Sequence, residues 1–592
     1  MSAETIKIES RYLAGTIGDE LANGTPDFEH DAEMLLKFHG IYQQDDRDVR
    51  RARTQQQLPL DYSCMVRASV PGGVITADQW LALDRVAGLA DDKLRLTTRQ
   101  GVQYHVVYKD DLSTLVDGIN SSLLTTLGAC GDVVRNVMAC PLPHAERRAV
   151  IQPVVDEMVA RFRPQTESYW ELWVDGDKAV TAERPSRNAP DALAPIDDIE
   201  PIYGSAYLPR KFKIGIAWPG DNCVDIYTHD VGIVPTLTNG TSGELTGFVV
   251  LAGGGMGMSH NRPEDTYPLL AQPVAWVRPQ DLGDVVEAIV TTQRDHGNRE
   301  DRSRARLKYL VEAQGIEWLR QQIEDRIGRT LDPPVELPAW EVEAHHGWHD
   351  HESSPDHADS SVTLGLPVPS GKVAGGLRWA LKRLVADGVV TGMRVTPRQD
   401  LLLLGVNPRE VDTVENLLHA NGVALASDNS PTRNLAIACP ALPTCTKALG
   451  EAERVLPEVV DRLEKVLADT GNTGLPLRLN MTGCPNGCSR PYAAELGIVG
   501  RSKRGYDIFL GGSPAGDRLA RRLRADVPLN EIPDLLRPLL EQFSRTNDID
   551  DTAVSFGDWA WNQNWDELAA LLPDDTSRRA RRAAADDTDA AS

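Results

Sequence analysis

Four of the eight cysteines fall in two tight pairs. Cys439-x5-Cys445 lies in Ala438-Cys-Pro-Ala-Leu-Pro-Thr-Cys445, and Cys484-x3-Cys488 in Thr482-Gly-Cys-Pro-Asn-Gly-Cys-Ser-Arg490. Four thiolates supply one ligand to each iron of a 4Fe-4S cube, and the Pro and Gly between them let the backbone curl around a bulky cluster. The spacing argues against structural zinc, which usually draws on C-x2-C or H-x3-5-H pairs. A chain that binds such a cluster moves electrons.

Cations are the second chemical resource. Arg95-Leu-Thr-Thr-Arg99, Arg135-Asn136 and Pro209-Arg-Lys-Phe-Lys213 are basic segments in a chain of formal net charge −24. Period-two spacing in a strand points Lys211 and Lys213 to one face, where they suit a small oxyanion or the carboxylates of a tetrapyrrole. Taken alone, the pair is better read as a solvated edge, where lysine discourages strand pairing. Thr291–Lys308 is denser in Arg. It reads as a surface helix with pairs such as Glu300–Arg304, or as a cationic wall around a polycarboxylate. The histidines His345, His346, His349, His351 and His357 lie among Glu, Asp, Ser and Pro. A flexible linker accounts for them better than a metal site does.

The elements that position these residues form a duplication. Leu94-Arg-Leu-Thr-Thr-Arg-Gln100 recurs as Met393-Arg-Val-Thr-Pro-Arg-Gln399, and each copy follows an extended segment, a Pro/Gly turn and a helical pattern. Arg135-Asn-Val-Met-Ala-Cys-Pro141 echoes Arg433-Asn-Leu-Ala-Ile-Ala-Cys-Pro440, and Asp221–Val234, opening Asp221-Asn-Cys223, echoes Asn486–Val499, opening Asn486-Gly-Cys488. Gly247–Gly254 likewise echoes Tyr506–Gly512. Only the second copy has all four cysteines. Cys140 and Cys223 fall near ligand positions of the first copy without partners, and the favoured reading is a small buried hydrophobe.

At 592 residues the chain exceeds one hydrophobic core. Eight cysteines in that length make no disulfide scaffold, and a reducing compartment suits cluster thiolates. The acidity argues against a nucleic-acid partner. No apolar stretch is long enough for a membrane span and the N-terminus lacks a secretory layout, so the cytoplasm is the expected location.

The four-cysteine pattern, Arg-Leu-Thr-Thr-Arg-Gln, Leu208-Pro-Arg-Lys-Phe-Lys213 and the duplication together resemble the sulfite/nitrite reductase family, whose members use sirohaem and a 4Fe-4S cluster. Phe38–Asp48, Ala441–Cys445 and Gly450–Arg454 resemble the assimilatory sulfite reductase haemoprotein more than nitrite reductases. The resemblance implies that Cys439, Cys445, Cys484 and Cys488 hold the cluster, with Cys488 also axial to the sirohaem iron. It implies substrate-binding roles for Arg99, Arg135, Lys211 and Lys213. It further implies sirohaem contacts from Arg95, Asn136, Gln293, Arg294, Asn298, Arg306, Asn486 and Arg490. In some members a cysteine at the position of Cys130 forms a thioether with a tyrosine; Tyr62 is the candidate partner here, and a plain packed thiol is the favoured reading.

The expected fold is α+β and internally duplicated: an N-terminal arm (1–58), two ferredoxin-like half-domains (59–150 and 341–428), two larger mixed α/β domains (151–340 and 429–572), and a disordered tail (573–592). The expected reaction is six-electron reduction of sulfite to sulfide, with nitrite to ammonia as the alternative. Leu251-Ala-Gly-Gly-Gly-Met-Gly257 has the wrong register for a dinucleotide fingerprint, so electrons come from a ferredoxin or a separate flavoprotein subunit. A competing reading is a non-catalytic protein with a four-cysteine structural metal site.

Overall fold

The computed structural model describes residues 2–141, 145–174, 200–341, 345–350, 361–547 and 554–573. Four groups of strands follow one another along the chain. They are β1 (Ile41–Asp45), β2 (Tyr62–Ala68), β3 (Val74–Thr76), β4 (Leu94–Leu96) and β5 (Val102–Val107); then β6 (Met138–Ala139), β7 (Ile214–Ile216), β8 (Val231–Leu237), β9 (Leu245–Ala252) and β10 (Gln272–Val277). The second half repeats the series: β11 (Gly347–Asp350), β12 (Val362–Leu366), β13 (Lys372–Val373), β14 (Gly392–Val395) and β15 (Leu401–Val406); then β16 (Ile437–Ala438), β17 (Leu479–Thr482), β18 (Leu496–Gly500), β19 (Gly505–Leu510) and β20 (Arg521–Pro528).

The duplication is visible in the strand orders. One sheet runs β1-β2-β5-β4-β13 and its counterpart β11-β12-β15-β14-β3. Each half therefore lends its short third strand to the other half's sheet. The β1 strand, inside the stretch expected as an N-terminal arm, is the edge of the first of these sheets. The remaining sheets, β6 to β10 and β16 to β20, both run parallel, parallel, antiparallel, antiparallel.

Local chemistry explains the strand exchange. Gly73 (φ +77°) and Gly371 (φ +69°) form the turns into β3 and β13. A Cβ on Gly73 would lie 2.3 Å from the Val395 carbonyl oxygen, and one on Gly371 would lie 2.2 Å from that of Leu96. Only glycine supplies both the positive φ and the clearance. The glutamine closing each repeat motif then pins the crossing: Gln100 Nε2 donates to Val395 O (2.8 Å), and Gln399 Nε2 to Leu96 O (3.3 Å).

Contacts divide the chain into two compact units. One comprises 1–255 with 271–426, the other 256–270 with 427–592. In the first, helix Ala77–Val86 starts on a capping box between Thr76 and Gln79 and buries Trp80, Leu83 and Val86. Arg378 from the equivalent helix Gly375–Ala386 donates to buried Asp84 through Nε at 2.6 Å. In the second, helix Leu456–Asp469 buries Leu456, Val459, Val460, Leu463, Val466 and Leu467, an i, i+3/i+4 stripe against the β16–β20 core. Each such aliphatic side chain contributes about 1.5–3 kcal/mol when fully buried.

Two expectations are corrected. Residues 345–350 are not a linker: His345 is buried, and His349 lies on β11, the edge strand paired to β12. His351 and His357 lie outside the described residues, as does 574–592 of the expected tail. Nor is Thr291–Lys308 one helix. Helix Leu282–His296 ends at Gly297, and Arg304, in a following 3-10 turn, reaches Glu312 (3.4 Å).

Candidate functional site

Cys439 follows β16 directly and Cys484 follows β17 by two residues, so parallel neighbouring strands deliver one thiol from each pair. Their loops lie against each other: a Cβ on Gly483 would sit 2.6 Å from Ala441 Cβ and 2.7 Å from Gly450 O. The Gly483 N–H donates to Cys439 Sγ at 3.3 Å. Burial, then Cys488 and Cys445, push the Cys439 thiol up to about 12; burial, then Cys488, Cys439 and Cys445, raise Cys484. The four sequence-predicted thiols are thus brought together, and all are free of disulfides. Cys488 is exposed, as is Asn486, while Arg490 is buried in the left-handed conformation (φ +56°). Buried Cys439 and Cys484 are costly as free thiolates beside two further thiols, and a cationic iron core removes that cost. The donor set fits a 4Fe-4S cluster.

The first unit gathers the cations. Phe212 is buried, its N–H bonded to Val133 O and its C=O accepting from the Arg135 N–H (3.0 Å each), with half-buried Lys211 and Lys213 on either side. Lys213 is held well below the usual lysine range by burial, then by Arg99, Lys211 and Arg306, against the pull of Asp230. Arg99 donates from Nη2 to Asn136 O (2.6 Å) and Ile214 O (3.3 Å), and from Nη1 to His229 Nδ1 (3.2 Å). His229 can accept there because its Nε2 faces Val224 O at 3.1 Å. Arg306 grips Asp230 with two bonds of 3.1 and 2.7 Å, and Asp230 Oδ2 also accepts the Lys213 N–H at 2.9 Å. Beside it, burial and then Arg306 push Lys308 down to about 7. Asp230, joined by Glu312 near Lys308, is outnumbered by these cations, and the surplus of positive charge suits anions: an oxyanion, the carboxylates of a tetrapyrrole, or both.

Arg135 extends the cationic patch. It donates to Gly131 O (3.2 and 3.1 Å) and to the Tyr42 hydroxyl. Nearby Asp132 is buried and takes both Nη atoms of Arg302 (2.7 and 3.0 Å). Tyr42, Asp132, His229, Asp230 and Lys308 escaped the sequence reading. Asp230 and His229 stood inside the repeated Asp221–Val234 stretch, which was the available signal.

Other expected cofactor contacts have internal work. Asn136 donates to Val70 O and Arg99 O and accepts from Ser69 Oγ. Gln293 donates to Ala305 O, Arg294 to Ile202 O, and Asn298 Oδ1 caps the N–H groups of Glu300 and Asp301. Gln293 and Asn298 thus hold the 298–306 turn that carries Arg306, while Arg294 ties its helix to Ile202. Arg95, on β4 opposite Gln103 and Lys372, is pushed down to about 10 by burial, opposed by Asp91. The candidate Tyr62–Cys130 pair is not brought together. Tyr62 stands with Asp27, Asp45 and Arg50, whereas Cys130 is bonded to Arg67 Nη1 (2.8 Å) and neighbours Tyr42. Cys140 and Cys223 are buried in the apolar core as expected, and a polar partner is added: Cys140 Sγ is 2.7 Å from Asp221 Oδ2.

Comparison with known proteins supplies the family. The nitrite and sulphite reductase 4Fe-4S domain matches residues 130–331 and 431–576, and the nitrite/sulfite reductase ferredoxin-like half domain matches 56–122. The sulfite reductase (NADPH) hemoprotein beta-component of Paenibacillus sp. (strain JDR-2) is 39% identical, with 94% of each chain covered. That of Acidithiobacillus ferrooxidans is also 39% identical, over 97% of this chain and 96% of its own. The sulfite reductase (ferredoxin) of Synechococcus elongatus is 38% identical over 95% of this chain and 90% of its own. In fold, the solved structure of the Mycobacterium tuberculosis NirA protein superposes with a TM-score of 0.74 at 24% identity, covering 95% of both chains. The chain belongs to the nitrite and sulphite reductase family.

Proposed function

We propose that the protein is an assimilatory sulfite reductase that reduces sulfite by six electrons to sulfide, with a sirohaem and a 4Fe-4S cluster as its cofactors. The observation that carries this reading is the cationic group Arg99, Lys211, Lys213 and Arg306, which outnumbers the Asp230 carboxylate acting on Lys213. It is joined by similarity to sulfite reductases along nearly the whole chain. Cys439, Cys445, Cys484 and Cys488 would hold the cluster, and Cys488 would also help hold the haem. When bound, the coupled centres supply the electrons and an iron site for the substrate sulfur.

The residues of the chain do the rest. Arg99, with Nη2 tied to two backbone carbonyls, and Arg135, tied to Gly131, are preorganised cations that would bind sulfite oxygens without reorganising. Each S–O bond that breaks needs protons to leave as water. Lys213 Nζ suits that task, because burial and three neighbouring cations make it a readier acid than an ordinary lysine, whereas arginine keeps its proton. Electrons come from a separate donor, a flavoprotein subunit or a ferredoxin. In keeping with this, Gly253–Gly255 follow β9 without opening a helix, and a Cβ on Gly254 would lie 2.2 Å from Tyr227 O, which leaves no dinucleotide cradle there.

The absorption spectrum with iron and acid-labile sulfide analysis tests the cofactor assignment. A sirohaem band with about five irons per chain is expected, four from the cluster and one from the haem. A colourless protein holding zinc at the four cysteines would overturn it.

A further inference from the structure

The first half of the duplication keeps two cysteines at cluster-ligand positions. Cys140 follows β6 as Cys439 follows β16. Cys223 stands two residues before a left-handed residue that opens a short 3-10 turn (Asp225, φ +53°), as Cys488 stands two before Arg490 (φ +56°). The half lacks the other two cysteines, but two different donors converge on these sulfurs. Asp221 Oδ2 lies 2.7 Å from Cys140 Sγ, and His345 Nε2 lies 3.0 Å from Asp221 Oδ2 and 3.7 Å from Cys140 Sγ. The two sulfurs are 3.1 Å apart, and the four ligand atoms all lie within 4.8 Å of one another, every residue buried.

We propose that Cys140, Asp221, Cys223 and His345 form a closed, four-coordinate zinc site that replaces, in this half, the iron-sulfur cluster of the other. Two thiolates, one imidazole and one carboxylate are a borderline-soft donor set that suits zinc. The observed separations fit a site gathered around hydrogen bonds. Two thiolates about 2.3 Å from a tetrahedral zinc stand about 3.8 Å apart, so the sulfurs need part by less than about 1 Å. They are also too far apart for a disulfide, whose bond is about 2.05 Å.

The surrounding backbone is built to hold the donors. Asn222 N–H donates to Glu341 O and Glu341 N–H to Gly220 O (3.0 and 2.8 Å), which fixes the Asp221 loop against Glu341. Asp221 Oδ1 accepts the Cys223 N–H at 2.9 Å, leaving Oδ2 turned to the cluster. The His345 carbonyl packs so closely on β12 that a Cβ at Gly365 would lie 1.6 Å from its oxygen. Four protein ligands leave no open position, so the role is structural: the metal would staple the end of β6 and the β7–β8 connection to the entry of β11.

The test is metal analysis and zinc-edge X-ray absorption on the holoenzyme, where iron does not interfere. The expected result is about one zinc per chain, with two sulfur scatterers near 2.3 Å and two nitrogen or oxygen scatterers near 2.0–2.2 Å. Cys223→Ser should lower zinc content at least about tenfold while cluster and haem iron stay unchanged. Should that variant fail to fold, His345→Gln in a chelator competition should release zinc at least about tenfold more readily than the parent protein. Protein grown with ample zinc that carries none while its iron is intact would overturn the proposal, as would a Cys140–Cys223 disulfide in the holoenzyme. Another metal in stoichiometric amount that Cys223→Ser removes would overturn the assignment to zinc.

Discussion

Arg99 and Asn136 clasp each other reciprocally: Arg99 Nη2 donates to the Asn136 carbonyl at 2.6 Å, and Asn136 Nδ2 donates to the Arg99 carbonyl at 2.8 Å. Neither residue's role is separable from the other. The asparagine, expected as a cofactor contact, acts on the arginine proposed to meet the anion.

Asn136→Ala should therefore lower kcat/KM for the anion about tenfold or more, which is about 1.4 kcal/mol, while the cofactor spectrum is retained. Arg99→Ala should add little to Asn136→Ala in a double-mutant cycle. Additive losses would show that Asn136 acts independently.

Lys213→Met should leave the fold intact and slow turnover about a hundredfold, the upper part falling on kcat because a proton donor is lost. Lys213→Arg keeps the charge and cannot deliver the proton, so it should restore KM more than kcat. Equal recovery of both would assign Lys213 to binding alone.

His39 offers a test of pH dependence away from the cations. Its Nδ1 accepts from Trp173 Nε1 (2.9 Å) and its Nε2 faces Leu13 O (2.9 Å), so the neutral ring is satisfied. Burial, partly opposed by the Leu13 bond, pushes it down to about 4 from 6.5. The unfolded chain binds a proton first as pH falls, so this stabilisation is full above pH 6.5 and is lost towards pH 4, about 3 kcal/mol in all. His39→Gln should flatten the urea-unfolding free energy across that window, and an unchanged slope would refute the assignment.

Gly371→Ala puts a methyl against the Leu96 carbonyl in a left-handed turn and should destabilise the first unit by about 2 kcal/mol or more. A melting temperature equal to the parent's would mean that the exchanged strand is not held as described.

Peptide mapping should find Tyr62 unmodified. Where Cys130 carries a thioether, its partner is Tyr42, the tyrosine beside it. A Tyr62–Cys130 cross-linked peptide would contradict the placement.

The duplication and the four cysteines were legible because they are written as repeated motifs and short spacings, which survive without knowledge of long-range contacts. The strand exchange was not. It depends on Gly73 and Gly371 meeting carbonyls roughly 300 residues away, and a glycine in a turn reads the same whether or not a backbone lies above it. Asp230 and His229 were hidden for a related reason: a buried acid or histidine gains meaning only from the cations folded around it. His345 was misread because its polar, Pro-containing neighbourhood resembles a linker, while its buried position is decided by β11 pairing with β12.

The central claim is tested most directly by steady-state turnover of sulfite and of nitrite with a chemical electron donor on the cofactor-loaded protein. The account predicts sulfide as the product of sulfite, with the larger kcat/KM for sulfite. A larger kcat/KM for nitrite with ammonia as product, or no sulfide from protein with full cluster and haem, would contradict it.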